Sequence, residues 1–363
     1  MASKSGRVSR ARRTSAIVTQ REVAAESGVS RATVSIVLNN APLARYISPQ
    51  TRERIQRVAK KLGYRPNMVA RSLRGKRNHT VGVMVFDIID PFCTPILRGI
   101  ENALYQTPHL PILTDAHNER SRFEGYLEML LDRHVEGLII IANWLFVDVE
   151  LLADLEKRNI PAVIIGRELR KNSISSILVD NEEGARLALE HLYTLGHRDI
   201  AFVRGPKMLG DSSSRWRGVR SFARSKGLQI HPELVVELPD SLDPKSAYEH
   251  GARLTHELLR QKRHFSAVMA FDDMTALGAI RALEKAGVQI PGQCSIVGFD
   301  DVALAGVSVP PLTTVRQPMQ EMGSAAVRIV LEGISAVVEQ RDYVSIHEKL
   351  APELVVRETT QPK

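Results

Sequence analysis

From residue 18 onward the chain shows two apolar patterns, and they occupy different regions. In the first region apolar residues recur three and four apart. Val23 and Ala24 fall on one face behind Thr19, a residue type that caps helices, and Gly28 permits a tight turn that Val29 is placed to plug. Ser30 caps a second helical stretch over 31–39, where Val34, Val37 and Leu38 form an inward stripe and Arg31, Ala32, Ser35 and Ile36 face out. A loop over 40–48 leads to a third helix over 49–62, with Ile55, Val58, Ala59 and Leu62 inward and Gly63 as its stop. Residues 66–74 have helical propensity over a length too short to hold a helix alone in water, so they fold only against something. Residues 1–17 are Ser, Arg and Lys with little to bury, and a disordered basic tail is expected there.

Beyond residue 80 the second pattern takes over: short unbroken apolar runs alternate with helical stretches. Runs at 81–86, 110–114, 137–142, 162–165, 200–203, 234–237, 267–271 and 295–299 read as buried strands. Such alternation predicts an α/β body of parallel sheets covered on both faces, and the length suits two doubly wound subdomains. The expected division is a helix-turn-helix unit at 18–65, a hinge helix and linker at 66–79, and a ligand-binding and dimerisation body at 80–338. Within that body, one subdomain takes 80–175 plus 310–338 and the other 176–309, leaving 339–363 as a C-terminal tail.

Charge separates the same two regions. The chain carries a net charge of +8, yet residues 1–80 hold 18 Lys and Arg against three acids, while the rest holds 31 against 38. A basic end on a mildly acidic body points to a polyanion partner for the first part, with nucleic acid foremost. Two helices joined by a Gly turn form a helix-turn-helix, and the exposed start of the second is what enters a major groove. Arg31 can donate to guanine or phosphate, Ala32 and Ile36 can touch thymine methyls, and Thr33 and Ser35 can hold phosphates or base edges.

With 363 residues, 44% of them apolar, and two cysteines, Cys93 and Cys294, the chain is no disulfide scaffold. No apolar run approaches the length of a membrane span and the first residues lack a signal peptide's apolar segment, so a cytoplasmic setting is expected. Enzyme anchors are missing too: no G-x-G-x-x-G follows the first strand, and neither a P-loop nor G-x-S-x-G occurs. The eleven histidines show no metal-binding spacing and read as surface residues, so no cofactor or metal is expected. Of the adjacent carboxylates Asp300 and Asp301, one reads as a cleft acceptor and the other as a helix cap.

Ligands of doubly wound folds bind at strand carboxyl ends. The polar and aromatic residues there are 87–92, Asp115, His117, Trp144, Arg215, Asp272 and Asp300, which can converge on one cleft. An aromatic face with Asp acceptors and an Arg donor suits a small polyhydroxylated molecule, a sugar or sugar derivative.

The segments GVSRATVSIVLNN, TRERI, LGYRPN and VARSLRG resemble the headpiece of the lactose/galactose-repressor (LacI/GalR) family. SSRWRG, VGFDD and PPLTTVRQP extend the resemblance over nearly the whole chain. It implies an effector-controlled repressor with a periplasmic-binding-protein-like body, binding a pseudo-palindromic operator as a homodimer. It implies DNA contacts from Thr19, Asn39, Asn67, Ala70, Leu73 and Arg74 beside those read from the second helix, with 66–74 as a hinge helix and Leu73 wedged between base pairs in the minor groove. It also implies that Phe92 stacks on the effector, Arg215 donates to it and Asp300 accepts from it. Departures fall at Ile36, an arginine in some members, at the longer loop 41–48, and at Cys93 and Leu242, where aromatic residues stand in relatives. The end of the chain has no sustained leucine heptad, so a dimer rather than a tetramer is expected. A sugar-binding receptor would share the body without the headpiece, and a non-specific DNA-architectural protein would share the basic end and the wedge.

Overall fold

The computed structural model describes residues 18–39, 41–64, 77–142, 155, 158–167, 174–240, 246–261 and 263–363. The chain divides into two compact units, 1–78 and 79–363.

In the first unit, helices α1 (Gln20–Ser27), α2 (Arg31–Leu38) and α3 (Pro49–Leu62) surround a core of Val23, Ala24, Val34, Val37, Ile55 and Ala59. Val29, Leu38, Val58 and Leu62 pack against its margin, as the helical spacing requires. The loop before α3 holds a 3-10 turn, Pro42–Tyr46, that tucks Ala44 inward and leaves Leu43 and Tyr46 exposed.

The second unit contains two six-stranded sheets. β1 (Thr80–Val85), β2 (Leu110–Asp115), β3 (Gly137–Ile141), β4 (Ala162–Ile165) and β5 (Ser175–Val179) form the first, with α4 (Cys93–Tyr105) and α5 (Arg120–Asp132) in the crossovers. The chain then enters α6 (Asn181–Thr194) and the second sheet: β6 (Ile200–Arg204), α7 (Gly210–Lys226), β7 (Val235–Glu237), α8 (Ser246–Leu259), β8 (Ala267–Ala270), α9 (Asp273–Lys285), β9 (Ser295–Asp300), α10 (Ala303–Val307) and β10 (Thr313–Arg316). α11 (Met319–Val338) returns to the first sheet, which β11 (His347–Leu350) joins, and β12 (Glu353–Val355) closes the second. The strand orders are β11-β5-β4-β3-β1-β2 and β12-β10-β9-β8-β6-β7, all parallel except the β10–β12 pair.

Alternate residues of each buried strand feed opposite faces. Val81, Val83 and Val85 pack with Ile139 and Ile141 against α4 and α11, while Met84, Leu138 and Ile140 pack with Phe123, Leu127 and Leu130 of α5. This double burial is why the strands read as unbroken apolar runs.

The expected boundaries shift in three places. β5 lies in the first sheet, which therefore runs on past 175, and β10 belongs to the second sheet, so the return to the first begins with α11 rather than at 310. The stretch 339–363 is no free tail: β11 pairs with β5, β12 pairs with β10, and Thr359 is fully buried, donating to the Ile296 carbonyl at 2.8 Å. Nor are all the histidines on the surface, since His197 is buried between Ser266 (2.8 Å) and Ser295 (3.0 Å). Among the described residues no helix is long and apolar enough to cross a membrane.

Candidate functional site

The first unit's outward face is set by its caps. The Glu22 carboxylate accepts from the Thr19 amide at 2.6 Å and its hydroxyl at 3.0 Å, pinning the start of α1, and these bonds hold Glu22 below the usual carboxylate range. Gly28, at φ 63°, ends α1 in a left-handed conformation that glycine adopts without a Cβ penalty. The Ser30 hydroxyl accepts from the Thr33 amide at 3.1 Å and starts α2. The first turn of α2 then presents Arg31 and Ala32 fully, with Thr33, Ser35 and Ile36 half-buried and Asn39 exposed at its end. Thr33 shares a hydrogen bond with Ser30 at 2.8 Å, and Asn39 donates to Ser35 at 3.1 Å, so this polar row is ordered. Asn67, Ala70, Leu73 and Arg74 lie outside the described residues.

In the second unit a cleft of about 930 Å³, part of it open to solvent, brings together four of the candidate residues: Phe92, Arg215, Asp272 and Asp300. They come from four separate turns and helices at or beyond strand ends, as the doubly wound topology requires. Arg215 is 8% exposed and held on every side. Its Nε donates to Asn181 Oδ1 at 2.8 Å, Nη1 to the Phe271 carbonyl at 2.5 Å and Nη2 to Asp300 Oδ1 at 3.3 Å. The guanidinium also lies 3.5 Å from the Phe299 ring centroid and 4.6 Å from that of Phe271, two cation–π contacts beside its hydrogen bonds. Gln317 donates to the same Asp300 oxygen at 2.6 Å. Burial nevertheless pushes the Asp300 carboxyl up to about 7, against the opposing pull of Arg215. Asp272 caps α9, accepting from the Thr275 amide at 2.7 Å. Phe92 follows an Asp90 turn and packs partly on the first sheet's core.

Asp115 and His117 are not among the residues lining this cleft; the Asp115 carboxylate accepts from the His117 amide at 3.0 Å. Trp144 and Leu242 lie outside the described residues. The second of the paired carboxylates is not a helix cap. Asp301 accepts from Arg316 at 2.7 Å and Arg357 at 2.5 Å, and α10 is capped by Val302 without a side-chain bond. Asp273, buried, accepts from the Thr314 hydroxyl at 2.5 Å and the Val302 amide at 2.9 Å, and burial raises its carboxyl well above the usual range. The site's own additions are Asn181, Phe271, Phe299 and Gln317. Gln317 stood in the PPLTTVRQP segment, but no local pattern marks it as facing the cleft; Asn181 and Phe299 are not among the lining residues and act by holding Arg215.

Residues 19–67 match the family of bacterial regulatory proteins of the lacI type, and residues 189–360 match a periplasmic binding protein-like domain. Over 336 residues the chain is 30% identical to the HTH-type transcriptional repressor PurR of Pectobacterium atrosepticum, spanning 92% of this chain and 95% of that one. A crystal structure of the Lac repressor dimer bound to operator and the anti-inducer ONPF superposes with a TM-score of 0.81 at 28% identity, covering 95% of this chain and 99% of that one. The complex of the transcriptional regulator CelR with cellobiose gives a TM-score of 0.67 at 30% identity, with 94% and 99% covered. A likeness that runs through both units at once leaves one reading: the chain belongs to the LacI family of bacterial regulatory proteins, and it is an effector-responsive transcriptional regulator rather than an enzyme.

Proposed function

We propose that the protein is a homodimeric repressor, working in the cytoplasm on the nucleoid, whose grip on a pseudo-palindromic operator is set by a sugar or sugar derivative in the cleft. α2 would read the major groove through Arg31, Ala32, Thr33, Ser35 and Ile36, with Thr19 and Asn39 at its margins and Asn67, Ala70, Leu73 and Arg74 acting in the minor groove. In the cleft, Phe92 would stack on the ligand, Arg215 would donate, and Asp272 and Asp300 would accept. The cellobiose held by CelR supports a sugar as the ligand class.

The observation that carries this reading is the Arg215–Asp300–Gln317 group. Both hydrogen bonds to Asp300 fall on Oδ1, which leaves Oδ2 to a ligand hydroxyl. Gln317 stands between β10 and α11, on one of the connections that carry the chain from one sheet to the other. A ligand that competes for Asp300 therefore acts on a residue at the joint between the sheets, and a change in their angle would alter the spacing of the two hinge segments in a dimer. A coupling of about 1–3 kcal/mol would change operator affinity roughly 5- to 150-fold, and operator would change ligand affinity by the same factor.

The test is a screen of sugars, sugar phosphates and sugar acids for a rise in melting temperature, followed by operator titration with and without the compound that stabilises. Arg215→Ala should bind operator normally and lose the response; a full response in that variant removes Arg215 from the site.

A further inference from the structure

His79, His109 and Glu136 each stand immediately before a strand, and the parallel register of β1 with β2 and β3 sets those strand starts side by side, at the end of the sheet away from the cleft. One ligand-capable atom of each lies within 4.8 Å of the other two. His109 Nε2 is 3.4 Å from Glu136 Oε2, about the spacing of two ligands held ~2.1 Å from one ion at a tetrahedral angle. The other carboxylate oxygen accepts from the His79 amide at 2.8 Å, so the carboxylate is aimed between both histidines. Only 8% of the His109 side chain and 11% of the Glu136 side chain are exposed. The His79 Nδ1 atom is buried with no hydrogen-bond partner, and the residue sits at φ 52°, a backbone region that side-chain-bearing residues rarely adopt.

We propose that these three residues are a binding site for a late first-row divalent cation, zinc foremost, with water completing the shell. Two imidazoles and one carboxylate are the donor set such ions favour, whereas calcium and magnesium favour oxygen donors throughout. His79 is only partly buried, which gives the ion a route from solvent. Bound there, the ion would tie residue 79, the first of the second unit, to the starts of β2 and β3.

The experiment uses the full chain stripped with a chelator. Zn2+ is titrated by calorimetry and melting temperature, and Co2+ serves as a visible probe. One zinc per chain should bind with a rise in melting temperature, and Co2+ should give the strong visible bands of a four-coordinate site. His79→Asn and His109→Asn should each weaken binding at least about tenfold, as should Glu136→Gln, which keeps the acceptor for the His79 amide but removes the charge. The partly exposed position of His79 keeps the test informative should His109→Asn fail to fold. Absence of zinc uptake by the stripped wild-type chain, or equal uptake in wild type and His79→Asn, overturns the site.

Discussion

Burial pushes the carboxyl of Asp300 up to about 7 although Arg215 and Gln317 both donate to it. Its folded-state value thus lies above the ordinary value of 3.8, so the neutral form is favoured by folding. The stability this contributes is fully present below about pH 4 and is lost as pH rises through 7. A ligand hydroxyl donating to the carboxylate has the opposite preference and selects the ionised form. Effector affinity should therefore fall below pH 7, approaching tenfold per pH unit, and calorimetric titration at pH 6 and 8 would show it. A dissociation constant unchanged over that range, or an equal slope in Asp300→Asn, would be contrary to this chemistry. At this scale the sequence named Phe92, Arg215, Asp272 and Asp300, which the cleft does bring together, because strand-end position and residue chemistry are both local properties. It did not name Asn181, Phe271, Phe299 or Gln317. These act through contacts with residues far along the chain, and an Asn, a Gln or a Phe is common in any helix or strand. Asp115 and His117 sit at a strand end as well, but that of β2, at the edge of its sheet.

α4 and α11 cross with their backbones in contact. A Cβ on Gly99 would stand 2.1 Å from the Gln320 carbonyl oxygen, and one on Gly323 2.2 Å from that of Ile96. No side chain fits either gap, so Gly323→Ala must push the helices apart and loosen the packing of Met322 and Ala326 on the sheet. A loss of about 1–3 kcal/mol is expected, measured as a lower urea midpoint with an unchanged m-value; a wild-type midpoint would mean the crossing yields freely. Most elements were legible because a doubly buried parallel strand has to be apolar throughout. β5 and β10 were not, since their sequences SSILV and TTVR place hydroxyls in the core. Those hydroxyls are tolerated only because distant partners satisfy them: Ser175 with Tyr343 at 2.8 Å and Thr314 with Asp273 at 2.5 Å. A window of ten residues cannot contain such partners.

For the whole molecule, the split of charge at residue 80 makes operator binding a counterion-release process. If six to ten phosphates are neutralised, affinity should drop about 10³- to 10⁵-fold between 50 and 200 mM salt. A flat salt profile would disconnect the basic end from DNA. The end of the chain holds the body together, since β11 and β12 extend one sheet each and Tyr343, Thr359 and Gln361 satisfy buried groups of both. Ending the chain at 338 strips those bonds at about 1 kcal/mol each, and the melting temperature should fall by at least about 5 °C. A truncated protein that melts like the intact one would return 339–363 to the status of a tail.

The sequence by itself determined the starts and stops of the three headpiece helices, most of the parallel strands and the division between a basic headpiece and an α/β body, because caps, apolar period and charge act over a few residues. The tertiary structure alone decided which polar residues meet: Arg215 with Asn181 and Asp300, His79 with His109 and Glu136, the last strands with both sheets. Such meetings are fixed by sheet register and crossover, and these follow from the collective burial of the whole core rather than from any segment's own preference.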